Sequence, residues 1–110
     1  MGMAVIERAA TIVNPLGMHA RPAAEFVKVA NRFRSGVEVK KDDLTVNGKS
    51  IMGVMMLAAE RGSSLVIRTD GEDAAEAMEA LLALVADGFH EMHLTGNEGP
   101  ESDETEEGAA

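Results

Sequence analysis

Two prolines and a glycine fix the backbone between residues 14 and 23, and this limits the possible folds more than any other feature. The segment reads Asn-Pro-Leu-Gly-Met-His-Ala-Arg-Pro-Ala. Pro15 and Gly17 interrupt any regular element that precedes them. Pro22 is tolerated in a helix only within the first turn, where its missing N–H removes no hydrogen bond. The helix that follows must therefore begin beside His19.

The start of this helix has the properties of an anion site, because the first backbone N–H groups of a helix lack partners within it. Arg21 can donate two parallel hydrogen bonds to a phosphate. An imidazole has a large neutral, nucleophilic fraction near pH 7. His19 is therefore either a structural histidine at a helix start or a group that carries or contacts an anion. Gly17 would let the backbone approach a ligand or partner closely.

Hydrophobic periodicity and turn residues predict the remaining elements. Strands are predicted over Val5–Val13, Val37–Lys41, Leu44–Val46 and Ser64–Thr69, and helices over Ala20–Phe33, Ile51–Ala59 and Glu72–Ala86. The inner face of the first strand is left open, because both of its faces carry apolar residues. The order β-α-β-β-α-β-α is typical of an α+β sandwich, with helices on one face of an antiparallel or mixed sheet.

Charge divides the chain of 110 residues into two parts. Six acidic residues and no basic residue follow Asn97, and without them the net charge of −9 becomes −3. We therefore expect one domain over residues 1–94 and an acidic, disordered tail over 95–110. No basic stripe with aromatic residues predicts nucleic-acid binding, and no apolar stretch predicts membrane insertion. A cytoplasmic monomer is expected.

The stretch from Ile51 to Ala59 contains no charged residue. Ser50 precedes it and is a favoured N-cap. A helix without charged residues can be completely buried, but a small domain with one sheet cannot easily cover all of its sides. We therefore expect some of Ile51, Met52 and Met55 to form an exposed docking patch, for which methionine is well suited. A phosphate on Ser50 would add about two negative charges beside this patch and could switch docking off.

Two other motifs predict no cofactor. Gly48-Lys49-Ser50 is similar to the end of a phosphate-binding loop, but Asp43 stands where that motif requires a glycine. His90 and His93 form an H-x-x-H pair, and two ligands are too few for a convincing metal site. We expect neither a bound nucleotide nor a metal.

Two separate segments resemble one family. The segment around His19 and the segment Asn-Gly-Lys-Ser-Ile-Met-Gly-Val-Met-Met-Leu, which begins at Asn47, are similar to the HPr proteins. These are the histidine phosphocarriers of the bacterial phosphotransferase system. The resemblance spans about Val5–Phe89 and includes the element order. It implies an open-faced β-sandwich, in which three helices cover a four-stranded antiparallel sheet.

The resemblance also implies roles for individual residues. His19 falls on the histidine that is phosphorylated at Nδ1, and Arg21 falls on the arginine that contacts the phosphoryl group. Ser50 falls on the serine that a dedicated kinase phosphorylates in many lineages. Gly17 and Pro22 shape the helix start at the site. Partner contacts are expected from five residues: Met18, Ala20, Ile51, Met52 and Met55.

The function implied is a phosphoryl relay. His19 would accept the group from phosphorylated enzyme I, ultimately from phosphoenolpyruvate, and pass it to IIA-type proteins, in sugar uptake or in regulation. No independent substrate turnover is evident, so the classification as an enzyme is left open. An HPr serine kinase/phosphorylase would be a further partner. The alternative is a regulatory binding module, a corepressor or kinase modulator that acts through phosphorylated Ser50; retention of His19 favours the carrier.

Overall fold

Short strands with alternating apolar residues build a single sheet in the computed structural model, which describes residues 4–91 of the chain. The strands are β1 (Ala4–Thr11), β2 (Gly36–Lys41), β3 (Leu44–Asn47) and β4 (Ser64–Gly71). The helices are α1 (Ala20–Ala30), α2 (Ile51–Met56) and α3 (Ala74–Ala86), and a three-residue turn over Gly88–His90 follows α3. The predicted tail over 95–110 lies outside the described residues.

The four strands pair antiparallel throughout, in the spatial order β1-β4-β2-β3. In the register of the central pairs, Ile6 lies opposite Thr69, and Val39 lies opposite Ile67. This arrangement confirms the predicted four-stranded antiparallel sheet with three helices. None of the helices within residues 4–91 is long and apolar enough to cross a membrane.

All three helices contribute to a core on one face of the sheet. Phe26 of α1, Val54 of α2 and Leu81 of α3 are fully buried. From the sheet, Val37 and Val39 of β2 and Leu65 and Ile67 of β4 are buried in the same cluster. In β1 the even-numbered Ile6 and Ala10 pack against this cluster, whereas Val5 is exposed, so the structure identifies the inner face that the sequence left open.

The predicted helices are correct in position and too long at one end. α1 ends at Ala30, because the N–H groups of Arg32 and Phe33 change to i to i−3 bonds and the side chain of Asn31 donates to the carbonyl of Val27. α2 ends at Met56, because Leu57 and Ala58 make shorter i to i−3 bonds and Ala58 has a φ of +49°. The third helix begins two residues later than predicted, after Asp73.

Asp73 connects the start of α3 to the loop before β2. Its side chain does not cap its own helix. Instead, Oδ1 accepts hydrogen bonds from the Ser35 hydroxyl at 2.5 Å and the Ser35 N–H at 2.9 Å, and Oδ2 accepts from the Arg34 N–H at 2.9 Å. The Ser35 hydroxyl, followed by the Arg34 N–H, lowers the pKa of Asp73 from 3.8 to about 2. The ionised form is therefore the one that the fold prefers.

Substitution of Asp73 will change how stability depends on pH. Because the folded-state pKa is depressed, the carboxylate stabilises the fold above pH 3.8, and this contribution is lost as the pH falls through about 2. Asp73→Asn should lower the free energy of unfolding at pH 7, and the difference from wild type should shrink between pH 4 and pH 2. Urea unfolding across this range measures the effect, with the exposed neighbour Glu72→Gln as control. A difference that is the same at pH 7 and pH 2 would contradict the assignment.

Candidate active site

His19 occupies the N-cap position of α1, so the helix starts where Pro22 required it to start. Its φ of −83° and ψ of −172° are extended, and its carbonyl accepts the Ala23 N–H at 3.0 Å. Its imidazole makes no capping hydrogen bond. Within the described chain, the N–H groups of Ala20 and Arg21 have no backbone acceptor. Two backbone donors therefore remain available beside the imidazole.

Arg21 provides positive charge at this helix start. Its side chain is exposed and forms no ion pair with any carboxylate between residues 4 and 91. Lys28, which follows Arg21 by two helical turns, is also exposed, as is Arg32 four residues later. This helix start can attract a negative group or an acidic partner, because no carboxylate of the described part neutralises Arg21.

A buried carboxylate lies against His19 and a buried amide supports it, and no sequence pattern indicated either residue. Both oxygens of Glu91 lie 3.2 Å from Nε2 of His19. Asn14 donates from Nδ2 to Oε1 of Glu91 at 3.1 Å and to the Gly17 carbonyl at 2.8 Å. Glu91 is 6% exposed and Asn14 is fully buried. Glu91 follows His19 by 72 residues, so no local pattern could have joined them.

This contact distinguishes the two ring nitrogens of His19. An ionised carboxylate only accepts hydrogen bonds, so in a neutral ring this contact favours the tautomer with the hydrogen on Nε2. Nδ1 then has the free lone pair, and it makes no hydrogen bond to any residue of the described range. The imidazole side chain is 37% exposed. The ring is thus held at one nitrogen and available at the other.

Gly17 approaches the protein's own backbone, and the expectation that it makes room for a ligand is corrected. Its φ is +71°, and a Cβ there would lie 2.5 Å from the carbonyl oxygen of Ala59 and 2.9 Å from Cα of Glu60. The adjacent Met18 N–H donates to the same Ala59 carbonyl at 2.7 Å. The loop before α1 is therefore packed directly on the segment that follows α2.

Ser50 and α2 form a second element of the candidate site. The Ser50 side chain accepts the Gly53 N–H at 3.0 Å, which confirms the predicted N-cap. Val54 faces the core, whereas four residues of this short helix are exposed: Ile51, Met52, Met55 and Met56, with Met52 74% exposed. We call these four residues the α2 patch. Its exposure agrees with the prediction of an incompletely covered helix.

The other predicted site residues divide between surface and core. Ala20 is exposed beside His19. Met18 is only 4% exposed and belongs to the core, so its expected role in partner contact is corrected to a packing role. The side chain of His90 pairs with Asp87, and His93 lies outside the described residues. Within residues 4–91, no group of three or more His, Cys, Asp or Glu residues could hold a metal ion.

Comparison with known proteins gives a consistent result. A family model described as "PTS HPr component phosphorylation site" matches residues 6–87. The chain is 49% identical over 87 residues to the phosphocarrier protein HPr of Cupriavidus necator, covering 79% of this chain and 98% of the relative. It is 47% identical over 81 residues to the HPr-like protein Crh of Halalkalibacterium halodurans, covering 74% and 96% of the two chains.

A solved structure agrees with the fold. The crystal structure of HPr-C-His from Thermoanaerobacter tengcongensis has a TM-score of 0.75 and 42% sequence identity to this chain. The match covers 77% of this chain and 96% of that one. The similarity therefore includes nearly the whole length of the relatives.

The close approach of Gly17 to Ala59 predicts a specific loss of stability. Gly17→Ala combines an unfavourable φ with a clash against a carbonyl oxygen, whereas Gly62→Ala has a φ of +91° and nothing within 4 Å of the new Cβ. The control should lose about 1 kcal/mol from backbone strain, and Gly17→Ala should lose at least about 1 kcal/mol more from the clash. Urea unfolding measures both. Equal losses of stability in the two variants would show that the positive φ, and not the clash, is what requires glycine at position 17.

Proposed function

The chain belongs to the HPr family, the phosphocarrier proteins of the phosphotransferase system, and we propose that its phosphorylated residue is His19. In this proposal His19 accepts a phosphoryl group from phosphorylated enzyme I and passes it to IIA-type proteins. The observation that supports it best is the pattern of contacts at the two nitrogens of the His19 ring. Nε2 is held by Glu91, and Nδ1 is free at a helix start that offers unpaired donors.

Arg21 and the start of α1 are suited to bind the transferred group. A phosphoryl group on Nδ1 would bring negative oxygens beside the free N–H groups of Ala20 and Arg21. The exposed guanidinium can approach the same oxygens with two hydrogen bonds. Phosphoryl transfer depends mainly on positioning and charge stabilisation, and these groups supply both.

The transfer step needs only a lone pair and a leaving group. The Nδ1 lone pair of His19 attacks phosphorus while the P–N bond to the donor histidine of enzyme I breaks, and its electron pair returns to the donor nitrogen. The reverse exchange, with a IIA protein as acceptor, discharges His19. A P–N bond keeps the high transfer potential that a serine ester would lose, which makes histidine suitable for a relay.

The α2 patch supplies the proposed docking surface for enzyme I and IIA proteins. Its residues are apolar, and the side chains of its three methionines can adapt to more than one partner. Ala20 extends the surface to the active site. The loop of His19 contacts the segment that follows α2 through the hydrogen bond from Met18 to Ala59, so the imidazole and the patch belong to two connected segments.

Ser50 is the proposed regulatory site. Its hydroxyl is half-buried at the edge of the α2 patch, and it uses its oxygen as an acceptor for Gly53. A phosphate there would place about two negative charges next to Ile51 and Met52. An HPr serine kinase/phosphorylase is the partner that this role requires, and loss of docking is the expected effect.

Incubation with phosphoenolpyruvate and enzyme I should label His19. The label should be acid-labile and base-stable, as a phosphohistidine is, and His19→Ala should abolish it. His90→Ala is the matched control, because His90 is exposed and pairs with Asp87; it should label like wild type. Arg21→Ala should still label, with an initial rate about 10- to 100-fold lower.

Two outcomes of this experiment would change the assignment. A label that survives His19→Ala would exclude His19 as the carrier. If enzyme I fails to label the protein while a serine kinase labels Ser50, the regulatory binding module becomes the better description.

Phosphorylation of Ser50 should slow the labelling of His19 about tenfold, because charge on the α2 patch disfavours docking. Ser50→Asn is the informative variant, since asparagine keeps an N-cap acceptor but has no hydroxyl. This variant should be labelled at His19 like wild type, and the kinase should not phosphorylate it. Met52→Glu should slow labelling without any kinase. Unchanged rates in both phosphorylated wild type and Met52→Glu would exclude the patch as the docking surface.

A further inference from the structure

A turn of unusual backbone conformation brings Glu91 from the end of α3 to His19. Gly88, Phe89 and His90 have φ values of +66°, +56° and +64°. Glycine adopts this conformation readily, but two successive residues with side chains rarely do. The turn closes with a hydrogen bond from the Glu91 N–H to the Gly88 carbonyl at 2.9 Å. Such a backbone persists only where other interactions hold it.

The two ends of this turn are held by different interactions. Phe89 is 2% exposed and packs in the core, which explains why the chain folds back. It does not explain why the carboxylate of Glu91, two residues later, is also buried. Glu91 is buried because Asn14 donates to it and His19 faces it. A buried carboxylate is costly unless its partners satisfy it, so this one points to a role at the imidazole.

We propose that Glu91 is a positioning residue that fixes the protonation pattern of the His19 ring. The inference rests on the proposed phosphorylation of His19 and names a residue that acts through it. The carboxylate at 3.2 Å keeps the hydrogen on Nε2. The lone pair is thereby placed on Nδ1, beside the free donors of the helix start. Asn14 supports the carboxylate and the loop together, because its amide bridges Glu91 and the Gly17 carbonyl.

The same contact has a consequence for the discharge of His19. When the P–Nδ1 bond breaks, its electron pair returns to Nδ1. If Nε2 still carries its hydrogen, the leaving group is a neutral imidazole; if that hydrogen is lost, the leaving group is an imidazolate and a much poorer one. Glu91 holds this hydrogen from the side of the ring that does not bear phosphorus. It therefore assists both loading and discharge without exchanging a proton.

The first test uses the unphosphorylated protein and no partner. In ¹⁵N-histidine NMR at a pH where the ring is neutral, wild-type His19 should show a protonated Nε2 and an unprotonated Nδ1, with widely separated shifts. In Glu91→Ala the two shifts should move together as the tautomers exchange. Glu91→Gln keeps an acceptor oxygen and should retain most of the separation. Unchanged shifts in Glu91→Ala would overturn the proposal.

The second test measures discharge. Phosphorylated wild type, Glu91→Ala and Glu91→Gln are mixed with a IIA acceptor, and the rate of transfer is followed by rapid quench. Glu91→Ala should be slowed about tenfold, whereas Glu91→Gln should lie closer to wild type. Glu79→Ala, which removes an exposed carboxylate of α3 but does not alter the turn, should transfer at the wild-type rate. Equal rates for all four proteins would contradict a role in transfer.

The two tests separate this proposal from the proposed function. If wild type is not labelled by enzyme I, the carrier function fails, while the NMR experiment still decides whether Glu91 fixes the ring. If wild type is labelled normally and Glu91→Ala leaves tautomer and rate unchanged, the carrier stands and the role of Glu91 is excluded. Should Glu91→Ala unfold, Glu91→Leu and Glu91→Gln provide the comparison, with the leucine variant expected to lose the tautomer preference.

Discussion

The contact between Gly17 and the carbonyl of Ala59 is the constraint on which the candidate site depends. It brings two backbones closer than any side chain at position 17 would allow, and the Met18 N–H uses the same carbonyl as its acceptor. The chain just before this loop is also held in place, because the Ile12 N–H donates to the Ser63 carbonyl and the Gly62 N–H donates to the Ile12 carbonyl. The loop that presents His19 is therefore attached to the segment after α2.

A second attachment reaches the site from the other end of the chain. The turn after α3 places two residues with side chains in the left-handed region, at about 1–2 kcal/mol each. Burial of Phe89 contributes about 1.5–3 kcal/mol in the opposite direction. The two terms are comparable, so the turn is not favoured strongly by packing alone. The hydrogen bonds of the Glu91 side chain, which follows the turn, supply additional stabilisation for this backbone conformation.

The sequence predicted what local chemistry determines and missed what the tertiary fold brings together. Pro22 identified the start of α1, and Ser50 identified the start of α2, because each acts within one helical turn. Gly17 was recognised as special, but its partner Ala59 could not be found without the fold. Asn14 and Glu91 carried no signal of this contact: asparagine before proline is typical of a turn, and nothing in the sequence connected the segment around Glu91 with His19.

A phosphoryl carrier has to reconcile two demands on one imidazole, and the structure separates them between the ring nitrogens. Transfer between proteins requires an accessible atom, whereas accurate positioning requires a ring that does not rotate freely. A fully exposed histidine would satisfy only the first demand and a buried one only the second. His19 has 37% exposure at the side chain, while the carboxylate behind it has 7%. Restraint is thus applied at Nε2, from the interior, and Nδ1 makes no hydrogen bond within residues 4–91. This division depends on a buried acceptor on the inner side of the ring. Glu91 supplies it from the turn after α3, 72 residues after His19.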